Sequence, residues 1–440
     1  MKANIVLISI DCLRADCLRS ISGKNSITPN MDKLAKNGML FTRAFSTSSW
    51  TPPAFKSILA SLYPFSNGGC LNVRNNVTLP LIMKWLGYKS AAFHSNPWLT
   101  ERFGYKRGFD DFYDFLSRDS SSRRLLPKTL IRMFKSLKNT LPYIDANQLT
   151  EHAISWISKN KERKFFVWIH FMDAHEPYMP VETPPSIFNI IKRRRIMVIN
   201  KKAKEGSINA HDIDKLRKWY KQRVKAIDSC IGHIINVLNE SNLSENTYVI
   251  LLGDHGQQFF EHGTFGHGLQ LYNELIHVPL IILGPNVEKQ RIEKSVSLVD
   301  ITPTILDILK YNVKKFHFHG RSLFTYIHQD REREVISEEG RNSRWGPERG
   351  VDAKLESRCR KISLILGNWK YIYNAEGKDE LYNLRRDFNE RNNLIDQEIE
   401  IAVRMLDKIK KFIAWLEKTN SKISILRQKI NRMKLERKIP

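Results

Sequence analysis

Hydrophobic residues along this chain fall into two recurring patterns. Nearly continuous apolar runs occur at 4–9, 164–172, 247–256 and 277–284, and shorter apolar segments at 40–46 and 89–96 are also predicted strands. Between them lie helical segments, at 27–38 with a Gly stop, directly after Thr51, and at 79–87. Strands that alternate with helices in this way predict an α/β sandwich, with a mostly parallel central sheet between helix layers.

The pattern changes towards the C-terminus. The segment 360–374 is predicted to form strands that pack against the large part of the chain and against one long helix. We therefore divide the chain into a large part at 1–330 with basic insertions at 116–150 and 181–225, a smaller C-terminal α+β part at 331–400, and a basic amphipathic helical tail at 401–440.

Apolar residues recur at heptad spacing in the tail, which predicts helix. Residues 402–418 are expected to pack on the protein's own surface, and Asn420 and Ser421 are expected to end that helix and cap a second one. Because residues 401–440 hold 12 Lys or Arg and only 3 Asp or Glu, the second helix is either exposed or in contact with an anionic membrane or an acidic partner.

Composition narrows the class of protein. The 440 residues are 42% hydrophobic, enough for a large core. The formal net charge of +25 suits anionic surroundings or substrates, but solvated helix faces are the preferred explanation. No nucleic-acid motif accompanies the charge. The N-terminus lacks the features of a signal peptide, and the five scattered cysteines argue against a disulfide framework, which together predict a cytoplasmic protein with peripheral membrane contact as the alternative.

Acidic residues and histidines follow three of the predicted strands. Asp11 ends the first strand, His175 follows the strand at 164–172 together with Asp173, and Asp254 and His255 follow the apolar stretch "YVILLG" at 248–253. A single Asp in such a place is usually a cap or turn residue, but parallel strands bring their carboxyl ends to one edge of the sheet, where ligands bind. Three such ends predict a site for one divalent ion, namely Zn, Mn, Mg or Ca.

Thr51 stands before two prolines and a predicted helix. A helix start attracts anions, so Thr51 is either a nucleophile beside a phosphate-like or sulfate-like group, or an ordinary helix cap. A metal ion next to it would lower the pKa of the hydroxyl and neutralise the anion under attack.

These segments resemble the sulfatase family of the alkaline phosphatase superfamily, in the family's order, over roughly residues 1 to 395. The resemblance rests on "VLISIDCLRAD", "TPNMDKLAKNGMLFTRAFS", "TPPAFKSILASLYP", "GFDDFYDF", "HFMDAHEPYMP" and, most specifically, "LLGDHGQQFFEHGTFGHGLQLYNELIHVPLII". It continues through "SLVDITPTILDIL", "HGRSL" and "DELYNLRRDFNERNNL".

The resemblance implies roles for individual residues. It assigns Asp11, Asp254 and His255 to the metal, and places Thr51 at the nucleophile position, which also contacts the metal. It places His175 and His267 where groups hold the anion or protonate the leaving oxygen. His262 is a further candidate for substrate binding, with shaping of its loop as the alternative.

Departures from the family pattern change the expected chemistry. Authentic sulfatases carry Cys or Ser, oxidised to formylglycine, at the position of Thr51, and threonine cannot give that aldehyde. The family's Arg is replaced by Phe55, with Lys56 beside it as a candidate for binding substrate. Cys12 stands where a second metal-binding Asp is common, and His267 where a Lys is common.

The threonine points to the phosphodiesterase, phosphonate hydrolase and phosphoethanolamine-transferase-like branches. The prediction is therefore metal-dependent hydrolysis or transfer of a phosphate or sulfate ester through Thr51, without formylglycine and with phosphoryl chemistry preferred. The substrate is an anionic ester of a glycan, a lipid head group or a nucleotide. The alternatives are a sulfuric ester hydrolase that works without formylglycine, and a non-catalytic scaffold that binds anions.

Overall fold

A central sheet of mostly parallel strands organises the molecule. The computed structural model describes residues 3–66, 70–116, 144–178, 187–312, 315–340 and 360–436, with the backbone alone at 187–193 and 421–436. Within these residues nine strands form the sheet: β1 (Asn4–Ile10), β2 (Met39–Phe45), β3 (Lys89–His94), β4 (Asp111–Asp114), β5 (Phe165–Phe171), β6 (Thr247–Gly253), β9 (His277–Leu283), β10 (Gln290–Ile292) and β11 (Val296–Ser297). A separate short hairpin consists of β7 (Gln258–Phe259) and β8 (Phe265–Gly266).

Strand β1 lies near the middle of this sheet. Along most of the sheet the strand order is β10-β2-β9-β6-β1-β5-β3-β4, and β11 pairs with β2. Strand β1 is parallel to both β5 and β6, with Ile10 in register with Phe171 and Gly253. Strand β9 runs antiparallel to β2 and β6, a direction that its apolar run does not reveal. The prediction of a mostly parallel sheet is confirmed.

Helices cover the sheet on both faces. They are α1 (Arg19–Ser22), α2 (Pro29–Asn37), α3 (Thr51–Ala60), α4 (Leu79–Trp85), α5 (Ala146–Asn160), α6 (Ile187–Lys204), α7 (Ala210–Glu240), α8 (Asn273–Ile276), α9 (Ile301–Ile308) and α10 (Leu323–Ile327). Side chains of β1 alternate between the two cores, since Val6 and Ile8 pack with α2, α5 and α7, whereas Ile5 and Leu7 pack with α3, α4, α9 and α10. The apolar runs are thus explained by burial on both faces.

A second, antiparallel sheet follows the central one in the chain. Its strands are β12 (Val335–Glu339), β13 (Lys361–Leu366), β14 (Trp369–Asn374) and β15 (Glu380–Asn383). One face packs with Phe45 and Leu275 of the larger part, and the other packs with α11 (Ile399–Glu436). Strands within 360–374 that contact both the large part and a long helix were predicted, and the structure confirms them.

For the tail helix, the predicted packing of its first part is confirmed and the predicted break is wrong. Residues 402–418 pack on the protein's own sheet, as expected, through Ala402, Met405, Ile409, Phe412 and Leu416. The expected break at Asn420 and Ser421 is wrong, because α11 continues to Glu436. The Asn420 amide donates to the carbonyl oxygen of Phe65, 3.1 Å away, so it binds another part of the chain in addition to lying within the helix.

The boundaries at 330 and 400 and the two basic insertions stay predictions. Most of the first insertion lies outside the described residues, and the second contains α6 and the first half of α7. In the described part of the chain, no helix is long and apolar enough to cross a membrane.

Candidate active site

Thr51 is the first residue of α3, and its hydroxyl is directed to two side chains from other elements. Trp50 has extended backbone angles (φ −158°, ψ 164°) and takes the cap position. The Thr51 Oγ1 atom lies 3.2 Å from Asp11 Oδ2 and 3.2 Å from His255 Nε2. The alternative that Thr51 is an ordinary helix cap is therefore wrong, because the hydroxyl belongs to a buried side-chain cluster at the start of α3.

The register of the central strands assembles this cluster. Because β1 and β6 are parallel and in register at Ile10 and Gly253, the residues that follow, Asp11 and Asp254, emerge at the same edge. Backbone hydrogen bonds continue past the strand ends, since the amide of Asp254 donates to the Ile10 carbonyl at 3.2 Å. The structure thus brings Asp11, Thr51, Asp254 and His255 together, and their roles stay proposals.

His255 presents its Nε2 atom to the cluster. Its Nδ1 atom lies 2.9 Å from the carbonyl oxygen of Gly256, which can only accept, so Nδ1 carries the proton. Burial lowers the pKa of His255 below its ordinary value, which keeps the ring neutral. Its Nε2 atom therefore has a lone pair, 3.2 Å from Thr51 Oγ1 and 3.5 Å from Asp11 Oδ1.

Two buried carboxylates face each other here with opposite electrostatics. Burial works against the ionisation of Asp11, but contact with His170 outweighs it and holds the Asp11 pKa well below its usual range. Burial, and then the negative charge of Asp11, raise the Asp254 pKa well above its usual range. Each carboxyl is fully buried, and Asp254 Oδ2 has no hydrogen-bond partner in the described structure.

That arrangement fits a divalent cation. A buried, unsatisfied carboxylate oxygen next to a second carboxylate, a hydroxyl and an imidazole lone pair offers hard and borderline donors. A cation there would supply the positive counter-charge for the carboxyl groups of Asp11 and Asp254. Asp11, Thr51, Asp254 and His255 are the residues that would hold it.

The sequence did not single out His170 and Asn96. The Asn96 amide donates to Asp11 Oδ2 at 2.9 Å, and His170 Nε2 lies 3.5 Å from the same oxygen. Asn96 follows β3, so the rule that polar residues at the ends of parallel strands meet at one edge of the sheet, here called the strand-end rule, would have found it. His170 lies inside the apolar run of β5, so no strand end marks it in the sequence, and the structure places its Nδ1 atom 3.0 Å from Ser9 Oγ.

A second group of side chains adjoins the first. It consists of Cys12, His175, Glu176 and His267, and the rings of His267 and His255 are 4.7 Å apart. The His267 Nδ1 atom lies 2.8 Å from Gln257 Oε1 and 3.6 Å from Cys12 Sγ. The structure thus places two further predicted residues, His175 and His267, beside the Thr51 cluster.

Two other predicted residues make their contacts elsewhere. The Lys56 ammonium donates to the carbonyl oxygens of Pro64, at 2.9 Å, and Ser66. His262 lies 2.6 Å from Glu274 Oε1 and 3.0 Å from the Glu390 carbonyl oxygen. The contacts of His262 favour the alternative in which it shapes its loop instead of binding substrate. The Lys56 ammonium is bound by carbonyl oxygens of the chain itself.

A cleft of about 480 Å³ opens beside the second group. Pro177, Met197 and Val198 give it an apolar lining, and its charged residues are balanced, with Lys201 and Lys204 opposite Glu176 and Glu205. The Lys204 ammonium lies 3.1 Å from Glu176 Oε1, so Glu176 connects the cleft to the histidines.

Comparison with known proteins agrees on one family. The sulfatase family profile matches residues 3–311. Arylsulfatase K of Xenopus laevis is 22% identical over 461 residues, which cover 94% of this chain and 82% of that protein.

Solved structures share the fold over nearly the whole chain. The phosphonate monoester hydrolase of Agrobacterium radiobacter superposes with a TM-score of 0.69 at 21% identity, covering 95% of this chain and 96% of its own. The structure of BT4656 with its substrate D-glucosamine-2-N,6-O-disulfate gives a TM-score of 0.71 at 18% identity, covering 96% and 98%. At these identities the likeness shows the fold.

Proposed function

The chain belongs to the sulfatase family, and from that premise we propose that it is a metal-dependent ester hydrolase or transferase with Thr51 as its nucleophile. The observation that carries the proposal is the Thr51 hydroxyl, buried at a helix start and 3.2 Å from both Asp11 Oδ2 and His255 Nε2. A plain structural threonine would not need two titratable partners from two different strands. The preferred substrate is a phosphate-type ester.

The residues around Thr51 can perform the substitution. The Thr51 proton passes to Asp11 Oδ2, 3.2 Å away, and Oγ1 forms a bond to phosphorus as the bond to the leaving oxygen breaks. The leaving oxygen takes a proton from His175 or His267. Water or an acceptor alcohol then displaces Thr51 from the phospho-Thr51 intermediate, which gives hydrolysis or transfer.

Two further features favour an anion at this point. Thr51 stands at the start of α3, where the positive end of the helix dipole lies, although Pro52 and Pro53 carry no amide N–H to bind an anion. A divalent ion held by Asp11, Thr51, Asp254 and His255 supplies charge neutralisation and a lower hydroxyl pKa when bound. Zn, Mn, Mg and Ca all suit this donor set.

Threonine at position 51 separates the phosphoryl and sulfuryl alternatives. Since Thr51 cannot give the formylglycine aldehyde, we propose that the enzyme works without it. Sulfate ester hydrolysis by the unmodified hydroxyl is the second candidate, and the name of arylsulfatase K favours it. A non-catalytic anion-binding scaffold is the remaining alternative, and it gives no reason for this arrangement of Asp11, Thr51 and His255.

The substrate class follows from the surroundings of the site. The disulfated glucosamine bound by BT4656 makes an anionic glycan one candidate, and a lipid head group or a nucleotide also suits the positive charge of this chain. Lys201 and Lys204 line the neighbouring cleft, but each has a glutamate partner there, Glu205 and Glu176, so the cleft itself carries no excess of positive charge. A cytoplasmic location, and contact of the tail with an anionic membrane or an acidic partner, remain part of the same proposal.

The test compares Thr51→Ala with Thr51→Ser, which keeps the hydroxyl. Both are assayed on aryl phosphate monoesters and diesters, phosphonates and sulfates, each with Zn, Mn, Mg and Ca. We expect Thr51→Ala to lose several orders of magnitude in turnover on phosphate diesters, and Thr51→Ser to keep a substantial part of it. Intact-mass analysis after an acid quench should show one phosphoryl group on the wild type and none on Thr51→Ala.

Three results would oppose the proposal. Faster turnover of aryl sulfates would favour the sulfuryl alternative. Absence of turnover on the whole panel, with tight binding of anions, would favour the scaffold. Full turnover by Thr51→Ala would remove Thr51 as the nucleophile.

A further inference from the structure

Helix α6 presents two large apolar side chains to solvent. Met197 and Val198 are 52% and 53% exposed, although they stand between Ile196 and Ile199, which are buried. Single exposed apolar residues are common on protein surfaces. The pair is therefore informative through the residues that surround it.

Positive side chains surround this apolar pair. Residues three or four positions apart are neighbours on a helix surface, and four exposed cations stand at these distances from the pair: Arg194, Arg195, Lys201 and Lys202. Within the described residues, Lys201 is the only one of the four with an ion-pair partner, Glu205 at 3.7 Å. We call the two apolar and four basic residues the α6 face.

The other side of α6 attaches the helix to the protein. Ile199 and Ala203 are buried in the core that α5 and α7 form with the central sheet. The helix also lies against β8, whose Gly266 directly precedes His267. The α6 face therefore has a fixed position close to the candidate active site.

The cleft of about 480 Å³ connects the α6 face to that site. Met197 and Val198 line it together with Glu176 and Pro177, and Glu176 directly follows His175. Three of the cations of the α6 face, at positions 194, 195 and 202, do not line the cleft. The excess of positive charge thus lies on the surface around the mouth of the cleft.

We propose that α6 docks the protein on the surface of an anionic lipid bilayer through the α6 face. Interfacial helices bind by inserting apolar side chains at the headgroup boundary while their cations contact anionic head groups. A soluble polyanion would engage the cations and leave Met197 and Val198 in water. A bilayer accounts for both kinds of residue.

Docking also narrows the substrate class, and this extension rests on the proposed function. Because the cleft begins at the α6 face and passes beside His175, a head group can enter it while the rest of the lipid stays in the bilayer. Of the three anionic esters considered above, the extension selects the lipid head group. The bond that breaks is the one already assigned.

The experiment measures sedimentation of the full-length chain with vesicles. The vesicles consist of phosphatidylcholine alone, or of equal parts of phosphatidylcholine and phosphatidylglycerol. The cation variant combines Arg194→Gln, Arg195→Gln and Lys202→Gln, and the apolar variant combines Met197→Ser and Val198→Ser. We expect the wild type to bind the anionic vesicles, the cation variant to lose about fivefold in affinity for each charge removed, and the apolar variant to lose about tenfold.

A matched control and a local measurement accompany the sedimentation. Trp85→Ser removes an apolar side chain that is 59% exposed on α4, which covers the opposite face of the central sheet, and should bind as the wild type does. Because every variant keeps the C-terminal tail, hydrogen exchange is followed at residues 194–204. Anionic vesicles should slow exchange there in the wild type.

Three results would overturn the docking. One is equal vesicle binding by the wild type and both variants. Another is exchange at 194–204 that vesicles leave unchanged, which would assign the binding to the tail. The third is normal vesicle binding by the apolar variant, with heparin binding lost in the cation variant, which would identify a soluble polyanion as the partner.

Turnover tests the extension separately. The cation variant should hydrolyse a soluble aryl phosphate diester at the wild-type rate and a phosphodiester lipid in anionic vesicles more slowly, and equal rates on the vesicles would refute the extension. A protein that docks but keeps its turnover in Thr51→Ala loses the proposed function and keeps the docking. A protein whose turnover depends on Thr51 but that does not bind vesicles keeps the proposed function and loses the docking.

Discussion

A buried ion pair between Arg223 of α7 and Asp173 anchors the loop that carries His175 and Glu176. The side chains are 2% and 1% exposed, and the Arg223 guanidinium contacts Asp173 Oδ1. The backbone amide of Ala146 also donates to that oxygen at 3.2 Å. The loop is therefore attached to both α5 and α7.

Replacing Arg223 by Met should destabilise the protein strongly. Methionine roughly keeps the length of the side chain but leaves the Asp173 carboxylate buried without its counter-charge, which costs about 3–5 kcal/mol. The control is Arg217→Met on the same helix, where the side chain is 41% exposed. An exposed pair of this kind contributes about 0–1 kcal/mol.

The pair is measured as a double-mutant cycle. Denaturant midpoints are recorded by circular dichroism for Arg223→Met, Asp173→Asn and the double variant, in which no unpaired charge remains. We expect the double variant to be less destabilised than the sum of the single changes. A shift for Arg223→Met no larger than that of Arg217→Met, or strict additivity in the cycle, would refute the reasoning.

Three further predictions use other contacts. Burial works against protonation of His262, but contact with Glu274 raises its pKa from 6.5 to about 8. The wild type should therefore be more stable than His262→Gln below pH 6.5, and this difference should disappear as the pH rises through 8. A difference in denaturant midpoint that does not change with pH would contradict this. Ile409→Ala should cost about 2–5 kcal/mol and the exposed control Val403→Ala about 0.5 kcal/mol or less, and equal thermal shifts would oppose the packing of α11 described above. Truncation after Thr419 should reduce the fraction of protein that sediments with anionic vesicles. Equal binding by the truncated and the full-length protein would show that the tail does not contact the membrane.

The strand-end rule predicted most of the Thr51 cluster from sequence. It found Asp11, Asp254 and His255 because each follows an apolar run, and parallel strands deliver their next residues to one edge. It missed His170, since that residue lies before the strand end and a fully buried strand shows no alternation that marks one side chain as different. The rule is sensitive to where a strand ends and insensitive to what lies within it.

Local sequence signals predicted helix ends and strand directions poorly where tertiary contacts determine them. Asn420 and Ser421 have the composition of a cap, yet α11 passes through them. Helix interiors tolerate both residues at a small cost, and contact with a neighbouring segment, such as that of Asn420 with the Phe65 carbonyl, can outweigh it. The antiparallel direction of β9 was beyond prediction for a similar reason, because an apolar run does not record the direction of its neighbours.

Three departures from the family pattern, at Cys12, Thr51 and His267, lie together in space, although they are far apart in the chain. Thr51 Oγ1 lies 3.2 Å from Asp11 Oδ2, Cys12 Sγ lies 3.1 Å from Asp11 Oδ1, and the same sulfur lies 3.6 Å from His267 Nδ1. Unrelated substitutions would have no reason to meet around one carboxylate. A change in the chemistry of a site alters several of its residues jointly, and a thiol and an imidazole are both groups that can bind a metal. The exchange at position 51 and the exchanges around it are therefore best understood as one change.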